Sequence, residues 1–257
     1  MLNTLKDKVI LVSGGTAGIG LSCAQAYAKA GAKVVFIGLD QKSVAAAGEL
    51  LGAPHLGICA DISQAEEVKA VVDQTIATFG RLDAIHNNAG LASPSKPLHD
   101  TSVQEWGRLF DINVKSILLT TKYGFPHLKN AKGCILNTSS LVGEIGQENH
   151  AAYAATKGAV NALTKAMAID YASLGIRVNS VMPAAVMTPM LQQWASEQAQ
   201  PEQIFDFLKN IHLLGYCPEG DVIADACIFL LSESARFITG VNLPVSGGAE
   251  LGYRRNT

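Results

Sequence analysis

Short apolar runs alternate with longer amphipathic segments along most of the chain. The runs have the length and composition of buried strands, and Gly or polar turn residues follow several of them. They predict seven strands, within residues 8–13, 33–38, 55–60, 81–90, 134–136, 175–183 and 240–248. Apolar positions at helical spacing predict helices within 21–32, 62–79, 101–128, 151–173 and 218–232. Strands that alternate with helices predict a parallel sheet covered on both faces.

The length and composition favour one α/β domain over residues 1–257. An apolar fraction of 48% in 257 residues can fill a single core of this kind. The formal charge of −2 and the lack of a basic cluster argue against nucleic acid and anionic membranes as partners. No apolar run approaches the length of a membrane span, and the N-terminal residues are polar. These features predict a cytoplasmic protein.

The chain contains five cysteines, an odd number, without a CxxC or His-spaced arrangement. They are Cys23, Cys59, Cys134, Cys217 and Cys227. Each lies beside apolar residues, so we expect buried, reduced thiols and no metal site.

Tyr153 and Lys157 stand four residues apart in a segment that is predicted to be helical. Side chains at this spacing share one helix face, so a phenol and an ammonium can share a site. A positive charge close to the phenol favours the phenolate, and we expect it to lower the pKa of Tyr153 towards neutrality. Ser140 lies upstream and could bond the same substrate oxygen. The spacing alone is typical of an ordinary helix surface, so its meaning depends on the rest of the chain.

A glycine-rich turn, GGTAGIG, follows the first predicted strand and opens a helix. Glycines allow close approach of the backbone to a pyrophosphate, and a helix N-terminus offers free N–H groups with partial positive charge. The position of Gly14, Gly18 and Gly20 between a strand and a helix therefore predicts a dinucleotide site.

Together, the TGxxxGxG-like loop, the NNAG segment at Asn87 to Gly90 and the Ser/Tyr/Lys spacing resemble the short-chain dehydrogenase/reductase family over nearly the whole chain. The resemblance implies a single doubly wound, Rossmann-type domain and hydride transfer between a nicotinamide cofactor and a secondary alcohol or its ketone. It assigns Tyr153 as the acid/base and Lys157 as the group that depresses its pKa and anchors the ribose. It assigns Ser140 to orienting the substrate and Asn113 to holding a water in a proton relay.

The same resemblance supplies a set of cofactor-binding positions. They are Gly14, Thr16, Gly18, Ile19, Gly20, Asp40, Asp61, Ile62, Asn88, Ala89, Gly90, Tyr153, Lys157, Pro183, Val186 and Thr188. Asp40 lies near the expected adenosine ribose, and no Arg or Lys stands at position 17 or 39, which favours NAD over NADP. Alternatively, Asp40 is a turn residue and the nearby Lys42 accepts a phosphate. Ala184 replaces the Gly that is common in the family, so a glycine-like backbone here is either absent or strained.

The segment between Ser140 and Tyr153 is rich in polar residues, which suits a polyhydroxylated substrate such as a free sugar. The predicted substrate contacts are Glu144, Gln147, His150 and Trp194. Alternatively, the segment is a solvated loop and Trp194 is a packing residue. Positions 190–216 resemble the family's substrate lid. The SSLVGxIGQ and GGAELGY segments resemble the branch that contains L-fucose dehydrogenase and related hydroxysteroid dehydrogenases.

Several functions stay open at this stage. A steroid or other small secondary alcohol is the main alternative substrate. A redox sensor that binds NAD without turnover need not retain all four catalytic residues, and a dehydratase or epimerase would retain its cofactor. The resemblance also implies a homotetramer that is joined through the helices within 101–128 and 151–173.

Overall fold

The computed structural model describes residues 4–92, 95–196 and 200–251, and a seven-stranded parallel sheet lies at its centre. The strands are β1 (Val9–Ser13), β2 (Lys33–Gly38), β3 (Leu56–Cys59), β4 (Ala84–Asn87), β5 (Cys134–Thr138), β6 (Arg177–Pro183) and β7 (Asn242–Val245). Their order in the sheet is β3-β2-β1-β4-β5-β6-β7, so the direction of winding reverses between β1 and β4. This confirms the doubly wound sheet, and a ligand crevice is expected at the carboxyl ends of these two strands.

Nine α-helices connect the strands within the described residues. They are α1 (Gly18–Lys29), α2 (Gln41–Leu51), α3 (Ala65–Phe79), α4 (Val103–Phe110), α5 (Ser116–Ala131), α6 (Ala151–Ala172), α7 (Pro189–Ser196), α8 (Pro201–Asn210) and α9 (Gly220–Leu231). α8 and all of α7 except Pro189 fall within the predicted lid at 190–216, of which residues 197–199 lie outside the described part of the chain.

The two faces of the sheet carry separate hydrophobic cores because successive strand residues point to opposite sides. In β1, Ile10 and Val12 join the core beneath α1 and α9, whereas Val9 and Leu11 join the core beneath α3, α5 and α6. All five residues of β1 are buried. This is why the central strands have continuous apolar runs rather than an alternating pattern.

The segment predicted as one helix over 101–128 is interrupted by a π-helical turn at Asp111–Lys115. α4 precedes the turn and begins with a capping box between Ser102 and Glu105, and α5 follows it directly. The extent of the prediction was nearly right, but the wider turn was missed. It places Asn113 at a local break in the regular hydrogen bonding, as functional π-turns commonly do.

Buried polar side chains connect the central strands at their carboxyl ends. His86 of β4 is fully buried, and its ring nitrogens lie 2.9 Å from the Tyr27 hydroxyl on α1 and 2.9 Å from Thr138 Oγ1 on β5. A second chain of bonds runs from Asn87 Nδ2 to Asn137 Oδ1 and from Asn137 Nδ2 to Thr164 on α6. Because each buried group is bonded, the network fixes the strand ends without leaving an unpaired polar atom in these contacts.

The cysteines differ in exposure. Cys23, Cys134 and Cys227 are buried, but Cys59 at the end of edge strand β3 is exposed, so the prediction of burial was wrong there. Cys23 and Cys227 lie beside His86, with their possible metal-ligating atoms within 4.8 Å of one another. Both His86 nitrogens already have partners, and burial raises the pKa of the Cys23 thiol well above its usual value. Burial thus disfavours the charged forms of Cys23 and His86 in this cluster.

Among the helices of the described residues, none is both long and apolar enough to cross a membrane.

Replacing His86 with Gln should make the free energy of unfolding less dependent on pH. Burial lowers the pKa of His86 from 6.5 to about 3 in the folded protein, so the unfolded chain binds a proton that the folded chain does not. The contribution of the neutral His86 to the free energy of unfolding is therefore complete above pH 6.5. It falls by about 1.4 kcal/mol for each pH unit between pH 6.5 and pH 3. Urea unfolding should show that the free energy of unfolding falls between pH 7 and pH 5 by about 2 kcal/mol more in the wild type than in the variant. Equal losses would show that His86 does not titrate in this way.

Candidate active site

The loop after β1 has the geometry of a phosphate cradle. Gly14 and Gly18 have positive φ angles of 65° and 52°, which an L side chain rarely adopts. A Cβ on Gly20 would collide with the Gly14 carbonyl and the Asn88 amide. α1 begins at Gly18, and Ala17 before it provides no side-chain cap. The first-turn N–H groups are thus open to an anionic ligand, so the loop fits a pyrophosphate.

The NNAG segment holds this loop in place. The Asn88 side-chain amide donates to the carbonyls of Ser13 and Gly14, each at 3.2 Å, and Ser13 Oγ accepts from the N–H groups of Asn88 and Ala89. A Cβ built on Gly90 would lie 3.3 Å from Asn113 Oδ1 and 3.5 Å from Lys157 Nζ. Glycine at this position therefore lets the strand end lie directly against the predicted catalytic residues.

Lys157 is almost completely buried, and its ammonium donates to the Thr138 carbonyl at 2.9 Å. Burial lowers its pKa to about 8, because desolvation penalises the charged form. Thr138 is itself held by its neighbours, since its hydroxyl accepts from His86 Nε2 and donates to Asn88 Oδ1 at 3.3 Å. The position of the ammonium thus depends on the network that crosses the sheet.

Tyr153 and Lys157 share one face of α6, as the spacing predicted, with Lys157 Nζ 5.6 Å from the centroid of the phenol ring. Burial raises the pKa of Tyr153 to about 12, and an interaction with the Ser140 hydroxyl opposes this only in part. The expected pKa near neutrality is therefore wrong for the chain by itself. Desolvation of the phenolate is the main cause, because a buried phenol keeps its proton more tightly than one in water.

Asn113 is buried in the π-helical turn, with its side chain bonded to two other elements. Its Oδ1 accepts from the Leu91 N–H at 2.8 Å, and its Nδ2 donates to the Leu91 carbonyl and to Thr156 Oγ1, each at 3.0 Å. The Thr156 hydroxyl in turn donates to the Tyr153 carbonyl at 2.7 Å. The turn that carries Asn113 is thereby fixed against both the end of β4 and α6.

At the ribose end of the predicted cofactor site, Gly38 is tightly packed and Asp40 is an exposed acid with Lys42 near it. A Cβ on Gly38, where the family register would place an acid, would meet Thr16 Cγ2 at 2.5 Å. Asp40 is exposed and caps α2, accepting from Ser43 N at 2.9 Å and from Ser43 Oγ at 2.7 Å. The hydrogen bond from the Ser43 side chain is the main cause that lowers the pKa of Asp40, so the carboxylate is ionised. These hydrogen bonds are those of a helix-capping residue, which agrees with the alternative that Asp40 is a turn residue.

Asp61 and Ile62, after β3, also have local roles. Asp61 Oδ1 accepts from the Ser63 N–H at 2.8 Å, and Ile62 belongs to the core beneath α3.

The other side of the site follows the end of β6. Thr188 lies against the phosphate loop, with its Cγ2 3.2 Å from a Cβ built on Gly18. Pro183 and Val186 are buried. Ala184 is not among the residues with positive φ, so the glycine-like backbone is absent here rather than adopted under strain.

The predicted substrate wall is largely open to solvent, since Glu144 and Gln147 are exposed. His150 is different, because it is 9% exposed and has both ring nitrogens bonded, to the Glu148 carbonyl and to Ser95 Oγ. Trp194 on α7 donates its indole N–H to the same Ser95 oxygen at 3.2 Å. Ser95 was not identified from the sequence, because nothing distinguishes it from other polar residues of its loop.

Other residues of the site also lacked a sequence signal. Ser13, His86 and Thr138 look like ordinary strand residues, and only the pairing of β1, β4 and β5 shows that they come together at the strand ends beside the predicted site.

The comparisons with known proteins agree with this geometry. Residues 14–250 match a family model described as enoyl-(acyl carrier protein) reductase. L-fucose dehydrogenase from Bos taurus is 41% identical over 96% of this chain and 91% of its own length. Cyclopentanol dehydrogenase from Comamonas sp. is 38% identical over 96% of this chain and 98% of its own length. The crystal structure of 3-ketoacyl-(acyl-carrier-protein) reductase from Brucella melitensis complexed with NADH matches with a TM-score of 0.88 and 34% identity, over 95% of this chain and 99% of that one.

Fold, site and relatives together define an oxidoreductase that acts on the CH–OH group of alcohols with a nicotinamide cofactor. The chain belongs to the short-chain dehydrogenase/reductase family.

Proposed function

We propose that the protein is an NAD-dependent dehydrogenase of free sugars, with an L-fucose-like aldose as the first substrate to test. The observation that carries the chemistry is that Tyr153 lies beside the buried ammonium of Lys157 and interacts with the Ser140 hydroxyl, next to a phosphate cradle at the carboxyl edge of the sheet. The sugar assignment is supported by the polar segment 144–150 and by the likeness to L-fucose dehydrogenase.

Tyr153 acts as the general base in alcohol oxidation and as the general acid in the reverse direction. When bound, the nicotinamide cofactor supplies the hydride acceptor. The phenolate of Tyr153 takes the hydroxyl proton as the C–H bond breaks, so an anomeric hydroxyl becomes a lactone carbonyl. The Ser140 hydroxyl bonds the substrate oxygen, which orients the alcohol towards the phenol.

In this proposal Lys157 opposes the burial that raises the pKa of Tyr153. With a pKa of about 8, its ammonium is mostly charged at neutral pH, and its positive charge stabilises the anion that forms when Tyr153 loses its proton. In this proposal the same ammonium anchors the ribose, while Asn113 holds the relay water that returns protons to solvent. The fixed position of Asn113 beside Gly90 and Thr156 supports that role.

NAD is preferred over NADP in this proposal. The ionised Asp40 stands at the end of β2, where it would repel a 2′-phosphate, and residues 17 and 39 are Ala and Leu. The other residues of the proposed cofactor site, including Thr16, Ile19 and Thr188, bind the cofactor as the family resemblance implies.

Cyclic secondary alcohols are the second candidate substrates, because the cyclopentanol dehydrogenase relative is nearly as similar as the L-fucose dehydrogenase. A pure redox sensor and a dehydratase or epimerase are less well supported, since all four catalytic residues are present and these relatives are dehydrogenases. A homotetramer, a cytoplasmic location and a lid at 190–216 stay predictions.

Replacing Tyr153 with Phe should lower kcat by about a hundredfold or more and leave cofactor binding nearly unchanged, because it removes only the group that carries the proton. Lys157→Ala should impair both turnover and binding. NADH fluorescence titration beside steady-state kinetics separates the two effects. Tyr171→Phe, on the same helix, is the matched control and should keep its activity. A Tyr153→Phe protein with more than about a tenth of the wild-type rate would show that another group is the acid/base.

The wild-type kcat/KM should be higher with NAD than with NADP. Asp40→Asn should narrow this difference several-fold, because it removes the negative charge while Asn can still cap α2. Unchanged thermal stability would confirm that the cap is retained. Equal or better efficiency of the wild type with NADP would refute the preference and would assign the phosphate contact to Lys42.

Free aldoses, L-fucose first, should be oxidised with higher kcat/KM than cyclopentanol or a hydroxysteroid. Gln147→Ala should raise KM for the sugar several-fold and leave KM for NAD unchanged, because a lost hydrogen bond to substrate costs about 1 kcal/mol. Lactone formation, measured with NADH production, tests oxidation at the anomeric carbon. Good turnover of steroids or simple alcohols with none of any sugar would end the sugar assignment.

A further inference from the structure

Ser95 lies where three separate parts of the chain meet. It belongs to the loop after β4, and its hydroxyl contacts His150 at the start of α6 and Trp194 on α7. The distances from Ser95 Oγ are 3.3 Å to His150 Nε2 and 3.2 Å to Trp194 Nε1. One hydroxyl therefore joins two residues that the sequence analysis assigned independently to the substrate.

The directions of these hydrogen bonds are consistent with one another. The Glu148 carbonyl can only accept, so His150 Nδ1 carries a proton and donates to it at 2.8 Å. In the neutral ring Nε2 is then an acceptor, and the Ser95 hydroxyl donates to it. The indole N–H of Trp194 donates to Ser95 Oγ. The bonds run in one direction, from Trp194 through Ser95 to His150, which fixes the tautomer of the imidazole.

The loop is anchored directly after this hydroxyl, at Lys96. The next residue, Lys96, donates its backbone N–H to the Asn149 carbonyl at 2.9 Å. Its side chain forms an ion pair with Glu105 of α4 at 2.7 Å. These contacts hold the loop against the segment before α6, so Ser95 has a defined position although it is exposed.

We propose that Ser95 is a positioning residue of the substrate site, which sets the orientation of the Trp194 indole and the His150 imidazole against the bound alcohol. The inference deepens the proposed function and rests on it. With the indole N–H and the imidazole Nε2 both directed to Ser95, Trp194 presents its apolar ring face and His150 presents ring carbons. The two side chains then select substrate by shape and stacking rather than by direct polar contacts.

Ser95→Ala should raise KM for the alcohol by about three- to tenfold, the range for loss of one or two exposed hydrogen bonds, with kcat within about twofold. The Kd for NADH should not change, because the described contacts of the Ser95 hydroxyl are to His150 and Trp194 and not to the phosphate cradle. Ser95→Thr keeps the hydroxyl and should restore the wild-type KM. Ser196→Ala is the matched control, since this exposed α7 hydroxyl bonds only its own helix through the Gln193 carbonyl among the described contacts.

Tryptophan fluorescence gives a readout that does not depend on turnover. The chain has two Trp residues, so a Trp106→Phe background leaves Trp194 as the only emitter. Ser95→Ala should shift Trp194 emission and increase its quenching by acrylamide, and both Ser95→Thr and Ser196→Ala should match the background protein. An unchanged spectrum together with an unchanged KM would overturn the proposal. A joint fall in kcat, NADH affinity and thermal stability would also overturn it, by showing a general structural role.

The kinetic test uses whichever alcohol the wild type oxidises best, so the two proposals can fail separately. If that alcohol is cyclopentanol and no sugar reacts, the sugar assignment fails, while the effect of Ser95→Ala on KM still decides the role of Ser95. If no alcohol in the panel is oxidised, the fluorescence comparison alone decides it.

Discussion

The burial of one ammonium group, on Lys157, places demands on much of the surrounding structure. A charged amine removed from water is costly unless polar groups surround it, and here the Thr138 carbonyl is one such group. The carbonyl can serve only if β5 ends in a fixed position. Hydrogen bonds from His86 and to Asn88 provide that fixation, and Asn88 continues the connection to the glycine loop through the Ser13 and Gly14 carbonyls.

The phosphate cradle and the proton-transfer site are consequently parts of one hydrogen-bonded unit. Asn88 contacts the loop on one side and Thr138 on the other, so a shift of β4 would disturb both sites together. Gly90 adds a steric condition, because the Asn113 amide and the Lys157 ammonium lie close to where its side chain would be. Small residues at the strand ends allow the two sites to lie this close together. The apolar residues inside the strands contribute only the core beneath them.

The sequence predicted the features that depend on local pattern. The seven strands, the glycine loop and the shared face of Tyr153 and Lys157 all follow from spacing and composition, and the structure has them. The sequence did not predict the features that depend on contacts between distant parts of the chain. The pKa of Tyr153 is raised by burial in the folded protein, and the contacts of Ser95 depend on α7 packing near the loop after β4. Asp40 was left between two roles, since a helix cap and a ribose ligand use the same carboxylate.

The π-helical turn at Asp111–Lys115 has a consequence for how α4 and α5 face the rest of the protein. A turn with one extra residue advances the phase of a helix by about 100°, so the stripe that faces inward on α5 is not the continuation of the stripe on α4. α4 can therefore direct Glu105 to the loop at Lys96, while α5 buries Ile117 and Leu128 beneath the sheet. α4 and α5 follow one another directly but pack against two different surfaces. The angular offset between them is set by the π-helical turn that contains Asn113, the residue proposed to hold the relay water.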